Sequence, residues 1–214
     1  MRLILKPGGM AVLLLAILAL GVLAFTRKIV APSGSGETAT VITPMTSGTA
    51  PDTTAAGHTH EQELIPTREL ASDKWENLGG GGIADIHDYP CTLPGFPKLR
   101  RVSIPKQPEH PWDVQIRQTI PQGIPAGTHL RLRLWARSKS KSPVTIVCEQ
   151  NTKPYEKMES RDLPLTPDWQ QYEVAWTADR NVPANWAQIS LQLGTTAGEI
   201  DLAGVSLTSS TAAP

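Results

Sequence analysis

Between residues 112 and 207 apolar and polar side chains alternate with a period of two, run after run, and this pattern specifies half-buried β-strands. In the first run Val114 and Ile116 face one way while Asp113, Gln115 and Arg117 face the other. Leu130, Leu132, Leu134 and Ala136 then alternate with Arg131, Arg133, Trp135 and Arg137. Val144, Ile146 and Cys148 form a third inward set, Tyr172, Val174 and Trp176 a fourth, and Ile189, Leu191 and Leu193 a fifth. In the last run Ala203-Gly204 shifts the phase between Leu202 and Val205, which predicts a β-bulge. Repeated short strands with one apolar face predict an all-β protein, a jelly-roll β-sandwich.

The first third of the chain is a different kind of polymer. An unbroken nonpolar run, 10–25, has Arg2 and Lys6 before it and Arg27 and Lys28 after it, the layout of a signal peptide or a signal anchor. It is shorter than the ~20 residues of a spanning helix, although Ile29-Val30 and the apolar residues 3–5 extend it. Val22-Leu23-Ala24 is a serviceable cleavage site, but direct continuation into Thr26-Arg27-Lys28 favours a retained anchor, and no lipobox cysteine follows. Either form implies an extracytoplasmic domain, membrane-anchored or secreted. Residues 31–63 are dominated by Ser, Thr, Gly, Ala and Pro, too polar to offset the entropy of ordering, and read as a flexible tether. A coil of that length spans on the order of 30 Å. The expected organisation is therefore 1–30 signal segment, 31–63 linker, 64–208 sandwich and 209–214 tail. His58-Thr59-His60-Glu61 offers metal-ligand chemistry, but a linker does not fix its geometry, so no metal site is assigned there.

Twenty basic residues balance twenty acidic ones, so the formal net charge is zero and no broad basic field exists to hold nucleic acid. Two cysteines, Cys91 and Cys148, fall in the sandwich; in an exported chain they form one disulfide or remain free thiols, and both alternatives stay open. The Pro-rich passage 89–111 reads equally as a loop walling a cleft or as a rigid crossover.

If consecutive strands alternate between the sheets, the runs 112–120, 144–150 and 187–193 share one sheet and 130–137, 172–177 and 200–207 the other. The outward face of the first then presents Asp113, Gln115, Arg117, Thr145 and Val147 with Gln188, Ser190 and Gln192, and Trp112, Asn151 and Tyr155 stand near its ends. Amides, a guanidinium and aromatic rims suit a carbohydrate: rings cover the C–H face of a pyranose, and Gln, Asn and Arg bond its hydroxyl edge. The plainer alternative is a row of solvated strand residues. On the second sheet Arg131, Arg133, Trp135 and Arg137 face Glu173 and Asp201, which predicts cross-strand ion pairs ahead of a basic patch for an anionic polymer.

The segments 127–137, the Gln150-Asn151-x-x-Pro154-Tyr155 turn, Leu165-Thr166 with Trp169 and Tyr172, 188–194 and 200–207 resemble carbohydrate-binding modules of families 4 and 9, the jelly-roll modules of cellulases and xylanases. The resemblance covers about 75–207 and lies in order and spacing. It implies a galactose-binding-like sandwich with a cleft across its concave sheet. By position, Asn151 and Tyr155 match the family's amide and aromatic cleft residues, Gln188 and Gln192 its paired glutamines, and Trp112, Arg117 and Val147 other lining positions. Two departures stand out. Leu78 occupies the place of a second aromatic after Trp75, and Ala203-Gly204 replace the acidic pair that holds a structural calcium, so no cofactor is expected.

Glycoside hydrolysis needs two carboxyl groups roughly 5 to 9.5 Å apart. Glu149, Glu156, Glu159, Glu173, Glu199 and Asp201 have no spacing that pairs two of them, and no nucleophile elbow, phosphate loop or His-Glu-x-x-His motif occurs. The sequence thus points to a non-catalytic domain that binds poly- or oligosaccharide, partnered by the membrane and by a separate glycoside hydrolase. The alternative is an envelope sandwich for protein interaction that has lost sugar binding; a divergent hydrolase comes third.

Overall fold

A computed structural model describes residues 61–65, 70, 74–79 and 81–210. The signal segment, His58 and His60 lie outside these residues. Among the described residues no helix is long and apolar enough to cross a membrane.

Among the described residues eleven strands build two antiparallel sheets. They are β1 (Glu61–Ile65), β2 (Glu76–Leu78), β3 (Asp85–Pro90), β4 (Lys98–Ile104), β5 (Gln115–Thr119), β6 (His129–Arg137), β7 (Val144–Gln150), β8 (Lys157–Leu163), β9 (Gln170–Thr177), β10 (Ala187–Gln192) and β11 (Gly198–Ser210). One sheet has the order β3-β4-β11-β6-β9, with β1 also on β11; the other has the order β2-β5-β10-β7-β8. The sheet assignment expected from alternation holds for all six strands read from the sequence.

The inward sets predicted by the alternation form the core. Leu132, Leu134, Ala136, Ile116, Ile189, Leu191, Ile200 and Leu207 are completely buried, joined by Trp75, Tyr172 and Trp176. Burial of one such aliphatic side chain stabilises the fold by about 1.5 to 3 kcal/mol. The Tyr172 hydroxyl donates to the Pro164 carbonyl, so its polar end is satisfied.

β11 is the organising strand. Its first half pairs with β4 and its last residues with β1, while β6 runs along the other side. The register with β6 shifts between Ala203 and Ser206, where the sequence predicts a bulge. Gly204 there has φ +58°, and a Cβ would run into the Phe96 ring, so the position requires glycine twice over.

Elsewhere the structure departs from the sequence reading. The run expected to start at Trp112 begins at Gln115; residues Pro111–Asp113 form a 3-10 turn, with proline supplying the fixed φ and the Asp113 carboxylate accepting the His110 N–H. Asp113 therefore leaves the sheet face assigned to it. The Pro-rich passage 89–111 is neither plain loop nor crossover, because it contains β4, whose Leu99, Val102 and Ile104 are buried. Strand pairing also joins Glu61, Gln62 and Glu63 to Ser210, Ser209 and Thr208. Both cysteines are free thiols in this structure: Cys148 sits in the core of β7, and Cys91, half-buried, follows β3 in the other sheet.

Candidate functional site

The registers in the β2-β5-β10-β7-β8 sheet fix which side chains share its outer face. Leu78, Gln115, Gln192, Thr145 and Asp162 form one row across the five strands. Glu76, Arg117, Ser190, Val147 and Ser160 form the next. Thr119, Gln188, Glu149 and Lys157 form the third. Because side chains alternate along each strand, the three rows look out on the same side.

Over these rows lies a cleft of about 700 Å³. Trp112, Gln115, Arg117, Tyr155, Gln188 and Gln192, all candidates from the sequence, line it. Leu78, Glu149, Pro154 and Lys157 complete the lining. Glu149 and Lys157 escaped the sequence reading, although Glu149 shares the phase of Thr145 and Val147 and could have been counted with them.

Two candidates sit elsewhere. Val147 shares the face, between Ser190 and Ser160 of the neighbouring strands, but is fully buried and does not line the cleft. Asn151 lines an adjoining hollow, and its amide donates to the Asn185 carbonyl at 2.6 Å, tying the end of β7 to the approach to β10.

The floor is polar and yet nearly inaccessible. Gln188 is 3% exposed, Gln192 6% and Glu149 6%, which is uncommon for outward residues of a solvated sheet. Gln188 Nε2 donates to Glu149 Oε1 at 3.2 Å, and the Ser190 hydroxyl donates to Gln115 Oε1. Arg117 Nε donates to Glu76 Oε2 at 2.8 Å, leaving the rest of its fork toward the cleft. Amide groups of Gln115 and Gln192, the second Glu149 oxygen and the Gln188 carbonyl keep capacity for a ligand.

Two rings stand at the rim. Trp112, 50% exposed, stacks on His110 with centroids 4.7 Å apart, so its orientation is set by a neighbour. Tyr155, 43% exposed, has φ +57°, a backbone region a bulky residue enters only when the surroundings enforce it. Its N–H donates to the Thr152 carbonyl at 2.8 Å, which closes the turn that enforces it. β5 and β7 run parallel, each antiparallel to β10 between them, so Trp112, ahead of β5, and Tyr155, beyond β7, stand at opposite ends of the strands.

Below the cleft, burial first and then the charges of Glu149 and Glu159 push the Cys148 thiol up to about 12, so it is an uncharged part of the core at neutral pH. On the opposite sheet, Arg133 pairs with Glu173 at 2.8 Å, Arg131 with Glu173 at 3.3 Å, and Arg101 and Arg137 with Asp201 at 2.7 and 2.9 Å. The cross-strand ion pairs expected there are formed, and the Arg137 guanidinium lies 4.7 Å from the ring centre of Trp169. Of the other carboxylates considered for catalysis, Glu156 pairs with Arg180 and Glu159 with Arg161, outside the cleft lining.

No protein-family model matches the chain, and no curated protein matches it. Solved structures do. The second N-terminal cellulose-binding domain of β-1,4-glucanase C from Cellulomonas fimi superposes with a TM-score of 0.54 at 23% identity, over 71% of this chain and 97% of that one. The chain shares the β-sandwich fold of that domain. The CBM22-1 xylan-binding domain of Xyn10C from Paenibacillus barcinonensis follows with a TM-score of 0.50 at 8% identity, over 73% of this chain and all of that one. The shared architecture thus extends across domains described by different ligands, and it does not single out families 4 and 9.

Proposed function

We propose that the protein is a non-catalytic carbohydrate-binding domain held at the cell envelope, taking a neutral poly- or oligosaccharide in the cleft over β5, β10 and β7. The observation that carries this reading is the combination of two exposed rings at the rim with a floor of buried, incompletely bonded amides. Trp112 and Tyr155 cover sugar faces; Gln115, Gln188, Gln192 and Arg117 bond hydroxyls; Glu149 accepts from them. The fold shared with cellulose- and xylan-binding domains supports it.

Catalysis has no support in this cleft. Among the described residues its lining includes one carboxylate, Glu149, and a glycosidase needs two. The apolar run 10–25 with its basic flanks supports an extracytoplasmic location and a membrane tether, and a separate glycoside hydrolase is the natural partner of such a domain.

Leu78, a cleft residue where a second ring would widen the stacking platform, favours one competing reading, an envelope interaction domain without sugar binding. Affinity electrophoresis of the full chain through gels containing xylan, β-glucan, mannan or pectin separates the two. Retardation by one polymer, lost in Tyr155→Ala with unchanged melting temperature, supports the binding domain; uniform mobility of folded protein in every gel supports the interaction domain.

A further inference from the structure

Beside the main cleft lies a second hollow of about 710 Å³, and the two share Arg117 and Gln188 as lining residues. The sheet face is therefore a continuous groove with two compartments of different chemistry. The first has Trp112 and Tyr155. The second has no aromatic residue among the described residues and is lined by amides and hydroxyls, among them Gln118, Gln122, Asn151, Thr119 and Thr152. Among the described residues its charges cancel: Lys74 and Arg117 stand with Glu63 and Glu76, and Arg117 is already bonded to Glu76.

A compartment without a ring gives the flat face of a main-chain pyranose nothing to stack on. It suits a residue held by its hydroxyls alone. Cancelled charge supplies no net attraction for a uronate or a phosphate, whereas four amides supply donors and acceptors together. Gln122 lines the hollow with an amide whose Oε1 is buried without a hydrogen-bond partner and whose Nε2 keeps its donors for a ligand.

We infer that the second hollow takes a neutral sugar branch of a decorated polysaccharide whose main chain lies across the Trp112–Tyr155 cleft. This inference rests on the carbohydrate-binding reading above. The distinction it adds is a preference for branched over linear polymers with the same backbone.

The test is affinity electrophoresis of the full chain in matched gels: linear xylan, arabinoxylan and glucuronoxylan; linear mannan and galactomannan; mixed-linkage β-glucan and xyloglucan. For the retained backbone, the neutral branched polymer is expected to bind about tenfold more tightly than the linear one, the gain of one or two hydrogen bonds. Thr119→Ala with Gln122→Ala removes that gain and leaves linear binding as it was; neither side chain makes a hydrogen bond that the fold would lose. Tyr155→Ala weakens both polymers. Equal affinity for linear and branched forms, tightest binding of the uronate-bearing form, or equal weakening of both forms by the double variant would overturn the inference while leaving carbohydrate binding intact. Absence of retention in every gel would instead remove the reading on which it rests.

Discussion

At the scale of single residues, the site is recognisable by side chains that gain little from their positions. Gln192 lies almost wholly below the surface without a side-chain hydrogen bond, and Tyr155 holds a left-handed backbone at a cost of order 1 kcal/mol. Tyr155→Gly should therefore separate stability from function. Glycine adopts φ +57° without strain, so the melting temperature should hold or rise, while polysaccharide affinity falls at least tenfold with the ring gone. A melting temperature lowered by several degrees would show the ring to be structural. The thiols give a second residue-scale prediction. With Cys148 fully buried and its thiol pushed up to about 12, a thiol reagent at neutral pH should label Cys91 alone in the native chain and both cysteines in denaturant. The protonated thiol is favoured in the folded state, so its contribution to stability is complete below about pH 9 and is lost as pH rises toward 12. Rapid labelling of both native thiols would contradict the core position of Cys148.

At the scale of elements, Asp201 on β11 joins three strands through Arg101 on β4 and Arg137 on β6. Burial pushes its carboxyl up, but hydrogen bonds and charge from both arginines outweigh that and hold it below the ordinary carboxylate value. The carboxylate therefore stabilises the fold above about pH 4, and that contribution disappears as pH falls through the lower folded value. Asp201→Asn should cost about 2 kcal/mol at neutral pH in urea melts, less than for a fully buried pair because the arginines are part-exposed, and the cost should shrink at low pH. A pH-independent cost would contradict the ion-pair account. The elements also show how far the sequence could be read. β6, β7, β9, β10 and β11 bury one face against the other sheet, so their alternation was visible, as was the β11 bulge at Ala203-Gly204. β3 and β8 are edge strands, the first mostly exposed and the second divided between exposed and half-buried residues with only Leu163 fully buried, and they left no apolar period to detect. β4 does alternate at Val102 and Ile104, but prolines at 90, 94, 97 and 105 masked it. Most of the cleft was legible because outward phase follows from inward phase. Val147 was misplaced for lining because phase gives direction and not depth, and Glu149 went uncounted on the same strand.

At the scale of the whole molecule, the two sheet faces divide the work. The β3-β4-β11-β6-β9 face closes its charges on itself in cross-strand pairs, whereas the β2-β5-β10-β7-β8 face keeps donors and acceptors unspent beneath two rings. The central claim is that ligand occupies the second face. The measurement that tests it most directly is a backbone and indole N–H spectrum of the isotope-labelled full chain, titrated with oligosaccharides of the polymer that retards it in gels. Saturable shifts are expected at the Trp112 indole, Tyr155, Gln188 and Gln192, with Arg131, Arg133 and Arg137 unmoved. Shifts centred on those arginines, or none at the four cleft residues, would contradict it.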